Sequence, residues 1–200
     1  PYKEMGKIMS EHGYNILNQY ELDLYAELQK MQFAKSAKIV AINTFLRIYA
    51  DSIDGVQVPK EIIDFGVNLE HFIPLENKQE LKQKYDIPLD KKIGLWTGRF
   101  VPRENFEMVS NLIKEFKDVF WILLFKEKME YQPHLDNVKI MMTEDINLNE
   151  LYNCADFYVN CSFIENHLLD ALNVAACNVP IIVPRTGWFF DAQTGNIGEV

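Results

Sequence analysis

Apolar strands and amphipathic helices alternate regularly between residues 93 and 183, and this alternation strongly constrains the fold. Val119–Phe125 is an unbroken apolar run, typical of a strand in a sheet that helices cover on both faces. Phe106, Val109 and Ile113 recur at helical spacing and predict one apolar helix face. Together these patterns predict an α/β protein with a doubly wound parallel sheet. We predict strands at 93–97, 119–125, 138–142, 157–159 and 181–183, and helices at 105–116, 147–154 and 166–176.

The first part of the chain carries a second, shorter series of elements. Apolar spacing predicts a helix at 20–35, and Asn43 or Thr44 is suited to cap a helix that ends near Asp51. We also predict strands at 38–42 and 61–65 and a polar helix at 77–85. Because residues 1–18 lack a core pattern and 195–200 have loop composition, we expect a fragment of a longer protein.

Composition excludes several classes of protein. The chain has 200 residues, 48% hydrophobic and 24% charged, enough for one well-packed domain and part of a second. Its net charge of −9 argues against a nucleic-acid-binding module. No apolar run reaches the roughly 18 residues of a membrane span. Cys154, Cys161 and Cys177 show neither close pairing nor metal-site spacing, which predicts free thiols in a reducing compartment.

A first candidate site follows the strand at 93–97. Ligands of doubly wound sheets bind at the carboxyl ends of the strands, and Gly98 and Arg99 lie at such an end. The guanidinium of Arg99 is able to hold a phosphate through two parallel hydrogen bonds. The alternative is that Arg99 pairs with a surface carboxylate. If this segment is considered without the other motifs, the ion pair is the favoured interpretation.

A second candidate site lies between the strand at 157–159 and the next helix. The start of a helix presents free N–H groups and a positive dipole end, which suit an anion. The carboxylate of Glu165 either accepts hydrogen bonds from sugar hydroxyls or complements the helix N-terminus. Asn173 lies about two helical turns further on, where it borders the same pocket or faces solvent. We expect Asp170 at the surface, and Leu169, Leu172 and Ala176 on the core face.

A third candidate site is the loop from Pro184 to Trp188, which contains Gly187. Trp188 either stacks on a ligand that this loop covers, or it fills the core or forms a domain contact together with its phenylalanine neighbours. The four histidines are scattered, and the sequence contains no metal triad, nucleophile–histidine–acid set, P-loop or Gly-x-Gly-x-x-Gly motif. We therefore predict no metal.

Three stretches, in order and at suitable spacing, resemble the retaining glycosyltransferases of the GT-B fold, specifically family 4. Residues 65–72 resemble the family's Gly-Val-Asp…Phe segment, and residues 97–105 resemble its Gly-Arg…Lys-Asn loop. Residues 151–180 resemble its Tyr…Ala-Asp…Glu-Gly-Phe-Gly…Gly-Val-Pro signature. The resemblance spans roughly residues 35–190.

The resemblance implies two facing Rossmann-like domains with a nucleotide-sugar in the cleft between them. Residues 59–200 would then be the C-terminal donor-binding domain, Rossmann-like and truncated at its C-terminus. Residues 1–58 would be the end of the N-terminal, acceptor-binding domain and the linker. Most of that acceptor-binding domain would be missing from this chain.

The resemblance also implies roles at the donor site. Arg99, with Arg103 as a possible substitute for a missing lysine, would stabilise the leaving diphosphate. Glu165 would position the donor sugar, and Asn173 would contact the ribose. Helix N–H groups at Leu168 and Leu169 would contact phosphate or sugar. The implied donor-binding residues are Arg99, Arg103, Glu165, Asn166, His167, Leu168, Leu169 and Asn173, with Gly98, Glu104, Met142 and Gly187 as further candidates. Any catalytic histidine would belong to the missing acceptor-binding domain, so no catalytic residue is assigned in this chain, and no metal or cofactor is implied.

Several positions depart from the family's pattern. Glu104 stands where the family has a diphosphate-binding lysine, and a carboxylate 4 Å from a phosphate charge costs about 4 kcal/mol at an effective dielectric of about 20. Asn173 replaces a second glutamate, and Leu168 replaces a glycine. Asn178 stands where a glycine would end the helix, and asparagine tolerates the left-handed conformation required there.

Three hypotheses for function follow. The first is a glycosyltransferase that moves a sugar, with retention, from a nucleotide-diphosphate sugar to an unknown acceptor (glycan, lipid or protein). It implies the missing N-terminal domain as a partner, no nucleic acid and no membrane span, and a location in the cytoplasm or at the cytoplasmic face of a membrane. The second is a non-catalytic binding or scaffold subunit, since function resides in sites rather than folds. The third is another doubly wound enzyme, such as a sugar-nucleotide epimerase.

Overall fold

The computed structural model describes residues 18–127, 135–165, 168–187 and 189. These residues form two compact units. The first contains residues 18–66, 163–165, 168, 185–187 and 189, and the second contains Val67–Ser162 and Leu169–Pro184. The domain boundary predicted between residues 58 and 59 stays a prediction.

The first unit is built around a short pair of parallel strands. Its elements are α1 (Gln19–Ala34), β1 (Ile39–Ala41), α2 (Thr44–Asp51) and β2 (Lys60–Ile62). The Asn43 side chain accepts a hydrogen bond from the Leu46 N–H at 2.8 Å, which confirms the predicted cap of α2. β2 ends at Ile62 rather than Phe65 because its partner β1 ends at Ala41. A small core of Ile39, Ala50 and Val56 stabilises the pair.

A five-stranded parallel sheet forms the second unit, which confirms the predicted Rossmann-like, doubly wound α/β fold. Its strands are β3 (Lys92–Gly98), β4 (Val119–Phe125), β5 (Val138–Met142), β6 (Phe157–Val159) and β7 (Ile181–Ile182). Their order is β5-β4-β3-β6-β7, and every pairing is parallel. The chain moves outward from β3 to β5 and then returns to the other side of β3 at β6. A topological switch point therefore lies between β3 and β6.

Helices cover both faces of this sheet. They are α3 (Lys78–Lys84), α4 (Phe106–Glu115), α5 (Leu148–Cys154) and α6 (Leu169–Ala176), with a short 3-10 helix at Pro102–Glu104. The apolar face of α4 packs through Val109 and Ile113 against Trp96, Trp121 and Phe125, as its spacing predicted. The ring of Trp96 lies 5.1 Å from that of Phe125, centroid to centroid.

Asn147 and Glu150 have the spacing of a capping box at the start of α5, but the box is only half formed. Asn147 accepts a hydrogen bond from the Glu150 N–H at 3.2 Å. The Glu150 carboxylate does not complete the box because it accepts hydrogen bonds from Lys84 and Tyr85 instead. A tertiary contact has therefore replaced one half of a local motif.

Two predictions about α6 are wrong and one is confirmed. The helix begins at Leu169 rather than residue 166. Its core face is formed by Ala171 and Val174, which are fully buried, whereas Leu169 is 45% exposed. These smaller side chains let the helix pack closely on the sheet. Asn178 adopts a φ of 60°, as predicted for the residue that ends this helix.

All three cysteines are free thiols, and Cys154 and Cys177 are buried. Among the helices of the described ranges, none is both long enough and apolar enough to cross a membrane.

Candidate functional site

The carboxyl edge of the five-stranded sheet carries several of the predicted site residues. Gly98 ends β3, and Met142 ends β5. β3 and β6 are hydrogen-bonded neighbours, so the segments that leave them flank the switch point. Open α/β sheets bind ligands at this place, in the crevice outside the strand ends.

Glu104 closes over the end of β3. Its carboxylate is buried, with the whole residue 5% exposed. A Cβ placed on Gly98 would lie 2.8 Å from Glu104 Oε2 and 2.5 Å from Trp96 Cζ2. Only glycine therefore fits between the tryptophan ring and the carboxylate without displacement.

The two predicted arginines meet at this carboxylate. Arg103 Nη2 lies 3.4 Å from Glu104 Oε1, and Arg99 Nε lies 3.9 Å from the same oxygen. The sequence indicated that the negative charge of Glu104 would repel a phosphate. The positive charges of the two arginines offset that negative charge. Arg99 keeps 42% of its side chain exposed. Taken by themselves, these three side chains carry a formal charge of +1.

A hydrogen bond links the two segments that leave the switch point. Ser162 donates its hydroxyl to Glu104 Oε2 at 3.5 Å. Ser162 is itself fixed by Asn160, which accepts its backbone N–H at 3.0 Å and donates from its side-chain amide to the serine hydroxyl at 3.2 Å. Sequence reasoning missed this link because Glu104 and Ser162 belong to different loops.

Asp170 lies at the centre of a second polar cluster. Thr97 donates its hydroxyl to Asp170 Oδ2 at 3.0 Å, and Tyr152 donates to Oδ1 at 3.3 Å. The Lys126 ammonium lies 2.7 Å from Oδ2. The prediction that Asp170 lies at the surface is wrong, because three donors compensate its partial burial. No local signal in the sequence pointed to these partners.

The Tyr152 hydroxyl in this cluster remains a protonated donor. Burial and the neighbouring Asp170 carboxylate raise the pKa of Tyr152 far above its ordinary value. Tyr158 shares a hydrogen bond with Thr97 at 3.0 Å. The cluster therefore combines hydrogen-bonded hydroxyl groups with one ion pair between Lys126 and Asp170.

Helix α6 contributes two further predicted residues. Leu169 is its first residue. Asn173, one turn later, is half-buried, and its side chain makes no hydrogen bond within the described part of the chain. Leu168, just before the helix, is buried.

The remaining predicted residues that are described belong to the first unit. Glu165 is 8% exposed. The Thr186 hydroxyl accepts the Glu165 N–H at 3.4 Å and donates to the Glu165 carbonyl at 3.5 Å. This contact joins the second and third predicted sites. Gly187 adopts a φ of 58°, a left-handed conformation that favours glycine. Asn166, His167 and Trp188 lie outside the described residues.

The described ranges contain no group of three or more His, Cys, Asp or Glu side chains placed to hold a metal ion.

No protein-family model and no curated protein matches this chain. Solved structures do match. Sucrose-phosphate synthase from Thermosynechococcus elongatus superimposes with a TM-score of 0.73 at 18% identity, over 88% of this chain and 48% of that chain. HepE from Anabaena, in complex with UDP-glucose, gives 0.70 at 12% identity, over 92% and 53%. The catalytic domain of starch synthase IV from Arabidopsis thaliana, bound to ADP and acarbose, gives 0.64 at 14% identity, over 96% and 50%.

This chain spans about half the length of each of these structures. They are glycosyltransferases of the GT-B fold. At such low identity the likeness establishes the α/β fold of this chain and leaves its activity to be argued from its own residues.

Proposed function

We propose that this chain is the donor-binding part of a glycosyltransferase that moves a sugar, with retention, from a nucleotide-diphosphate sugar to an acceptor. One observation carries the proposal: Arg99 and Arg103 lie together at the carboxyl edge, beside the switch point. The neighbouring structures support it, since HepE is in complex with UDP-glucose and starch synthase IV is bound to ADP.

The chemistry asked of this site is electrostatic. Transfer of the sugar leaves negative charge on the nucleotide diphosphate, and fixed cations stabilise that charge as it develops. Arg99 is the more exposed of the two arginines, with 42% of its side chain accessible against 29% for Arg103, and we assign it the phosphate contact. Glu104 lies within ion-pair distance of both guanidiniums, and these three side chains together carry a net charge of +1.

The other donor contacts in this proposal come from the family resemblance. Glu165 positions the donor sugar, and the Asn173 amide contacts the ribose. The N–H groups at the start of α6 contact phosphate or sugar. No metal is required, because the cations of the chain take that role. The N-terminal domain of the longer protein supplies the acceptor site.

Isothermal titration calorimetry of the full-length protein with UDP, GDP and ADP tests the proposal. We expect micromolar binding of one nucleotide and a loss of more than about tenfold in Arg99→Ala, since a charge-assisted phosphate contact disappears. Lys114→Ala is the control, because it removes an exposed cation from the last turn of α4. Equal binding by wild type and Arg99→Ala would contradict the assigned role of Arg99.

A non-catalytic scaffold is the second candidate, and the burial of Glu104 between both arginines favours it. A site that neutralises its own cations has less charge available for a diphosphate. Failure of every nucleotide to bind a folded sample would select this function over transfer.

A further inference from the structure

Lys126 lies beside Arg99 at the carboxyl edge of the sheet. It directly follows β4, and the last residues of β3 and β4, Gly98 and Phe125, pair in register. The Lys126 N–H donates to the Gly98 carbonyl at 3.2 Å. Since neighbouring strands lie about 4.8 Å apart, Lys126 and Arg99 leave the sheet side by side.

The two cations serve opposite faces of the sheet. Side chains alternate along β3, so Trp96 packs on the α4 side and Thr97 points to the α6 side. Arg99 pairs with Glu104, whose carboxylate lies next to Trp96. Lys126 instead pairs with Asp170, in the first turn of α6. The cation at the start of α6 is therefore the lysine.

Lys126 retains capacity to bind a ligand. An ammonium group has three donors, one of which is directed at Asp170, and 48% of the side chain is exposed. Asp170 also accepts hydroxyls from Thr97 and Tyr152, so it stays bonded whatever Lys126 contacts. By neutralising Asp170, Lys126 also removes a negative charge that would repel an anion from the positive end of the helix.

We propose that Lys126, held in place by Asp170, binds a phosphate of the nucleotide-sugar at the start of α6. This assignment rests on the proposed function. The resemblance expects a diphosphate-binding lysine after β3, but that position is Glu104. In this assignment Lys126, which follows β4, is the lysine that binds the diphosphate instead. Lys126 is thus a ligand-binding residue, and Asp170 is a positioning residue that acts through it.

Calorimetric titration of the full-length protein with UDP, GDP, ADP and inorganic pyrophosphate tests this assignment. We expect Lys126→Ala to bind both the preferred nucleotide and pyrophosphate at least about tenfold more weakly, because one charged hydrogen bond is lost. Lys126→Arg should retain binding. Lys92→Ala is the matched control, since Lys92 is an exposed lysine at the opposite end of β3.

A double variant distinguishes the role of Asp170. Asp170→Asn should weaken binding by less than Lys126→Ala, because the lysine remains but is held less firmly. If Asp170 acts through Lys126, the double variant should bind no more weakly than Lys126→Ala alone. Additive losses would assign Asp170 an independent role and contradict the proposed arrangement. Circular dichroism and thermal unfolding verify that each variant is folded. If Lys126→Ala does not fold, Lys126→Gln replaces it, because glutamine removes the charge but is still a polar side chain.

The outcomes separate this inference from the proposed function. Nucleotide binding that is unchanged in Lys126→Ala would overturn the lysine assignment and leave the donor site standing. Lys126-dependent binding of pyrophosphate without binding of any nucleotide would support Lys126 as a phosphate-binding residue and overturn its assignment to a nucleotide-sugar together with the proposed function. Failure of the folded wild type to bind any of these probes would overturn both.

Discussion

Ion pairs lie at both the amino edge and the carboxyl edge of the five-stranded sheet, where the strands begin and end. The two edges differ in whether the charged side chains also bind backbone groups. At the amino edge, Asp156 accepts a hydrogen bond from the Ile93 N–H at 2.8 Å and one from Lys78 at 3.0 Å. Lys78 also donates to the Ala155 carbonyl at 2.6 Å. At the carboxyl edge, the side chains of Arg99 and Lys126 contact carboxylates on other side chains.

This difference shows why charge alone does not identify a ligand site. At the amino edge, Asp156 and Lys78 bind backbone groups near the starts of β3 and β6, and these hydrogen bonds stabilise the fold. At the carboxyl edge, Arg99 and Lys126 pair with carboxylate side chains and stay partly exposed, so they have hydrogen-bond donors left for a ligand. We therefore regard the amino edge as structural and the carboxyl edge as functional.

Removal of Asp156 should give the largest change in stability. Asp156→Ala loses the bond to Ile93 and removes the carboxylate that lies 4.0 Å from the ammonium of Lys82, whose side chain is 4% exposed. We expect the free energy of unfolding to fall by about 2–3 kcal/mol, measured by urea denaturation. Nucleotide affinity of the folded fraction should not change. A comparable loss of affinity would erase the distinction between the two edges.

The glycine at the end of β3 gives the next largest effect. In Gly98→Ala the new methyl group would meet Trp96 and Glu104 well inside van der Waals contact. We expect a loss of about 1–2 kcal/mol in the free energy of unfolding, together with weaker nucleotide binding. Gly66→Ala is the control, because nothing lies within 4 Å of its added Cβ. Equal stability of the two variants would show that the 98–104 segment is not closely packed.

Glu104→Gln should affect affinity more than stability. It removes a negative charge between Arg99 and Arg103 while keeping a similar shape. We expect nucleotide binding to tighten by about fivefold, because more positive charge is left for the diphosphate. Glu107→Gln, at an exposed position of α4, controls for net charge. Weaker binding by Glu104→Gln would mean that the arginines need the carboxylate for their orientation.

The smallest effect concerns acid stability. Burial raises the pKa of Asp156, but the Ile93 N–H and Lys78 outweigh it and bring the pKa below the ordinary value of 3.8. The stabilisation is therefore complete above that value and is lost as the pH falls through the lowered pKa. Between about pH 5 and pH 2, protonation of Asp156 should cost the wild type less than about 1 kcal/mol in the free energy of unfolding. Asp156→Asn should not show this loss. An identical pH dependence in both proteins would contradict the assigned role of Asp156.

Elements governed by local rules were predictable from the sequence. The apolar run of β4, the asparagine cap of α2 and the left-handed Asn178 all follow from neighbouring residues, and the structure confirms them. The parallel sheet followed because alternating strands and helices have few other ways to pack.

The errors concern tertiary contacts. The face that α6 presents to the sheet depends on close packing of Ala171 and Val174, which helical spacing alone did not identify. Asp170 was predicted at the surface because its partners Thr97, Tyr152 and Lys126 are distant in sequence. For the same reason, the sequence showed Glu104 as an unfavourable charge but not the arrangement of the two arginines that compensates it.

Hydrogen–deuterium exchange of the full-length protein, with and without saturating nucleotide, shows directly which end of the sheet binds the nucleotide. We expect slower exchange in segments 98–105 and 160–162 and at the start of α6. We expect unchanged exchange at the amino edge, in segments 91–93 and 155–157. Protection at the amino edge alone, or no protection at a concentration that saturates binding in calorimetry, would contradict a donor site at the carboxyl edge.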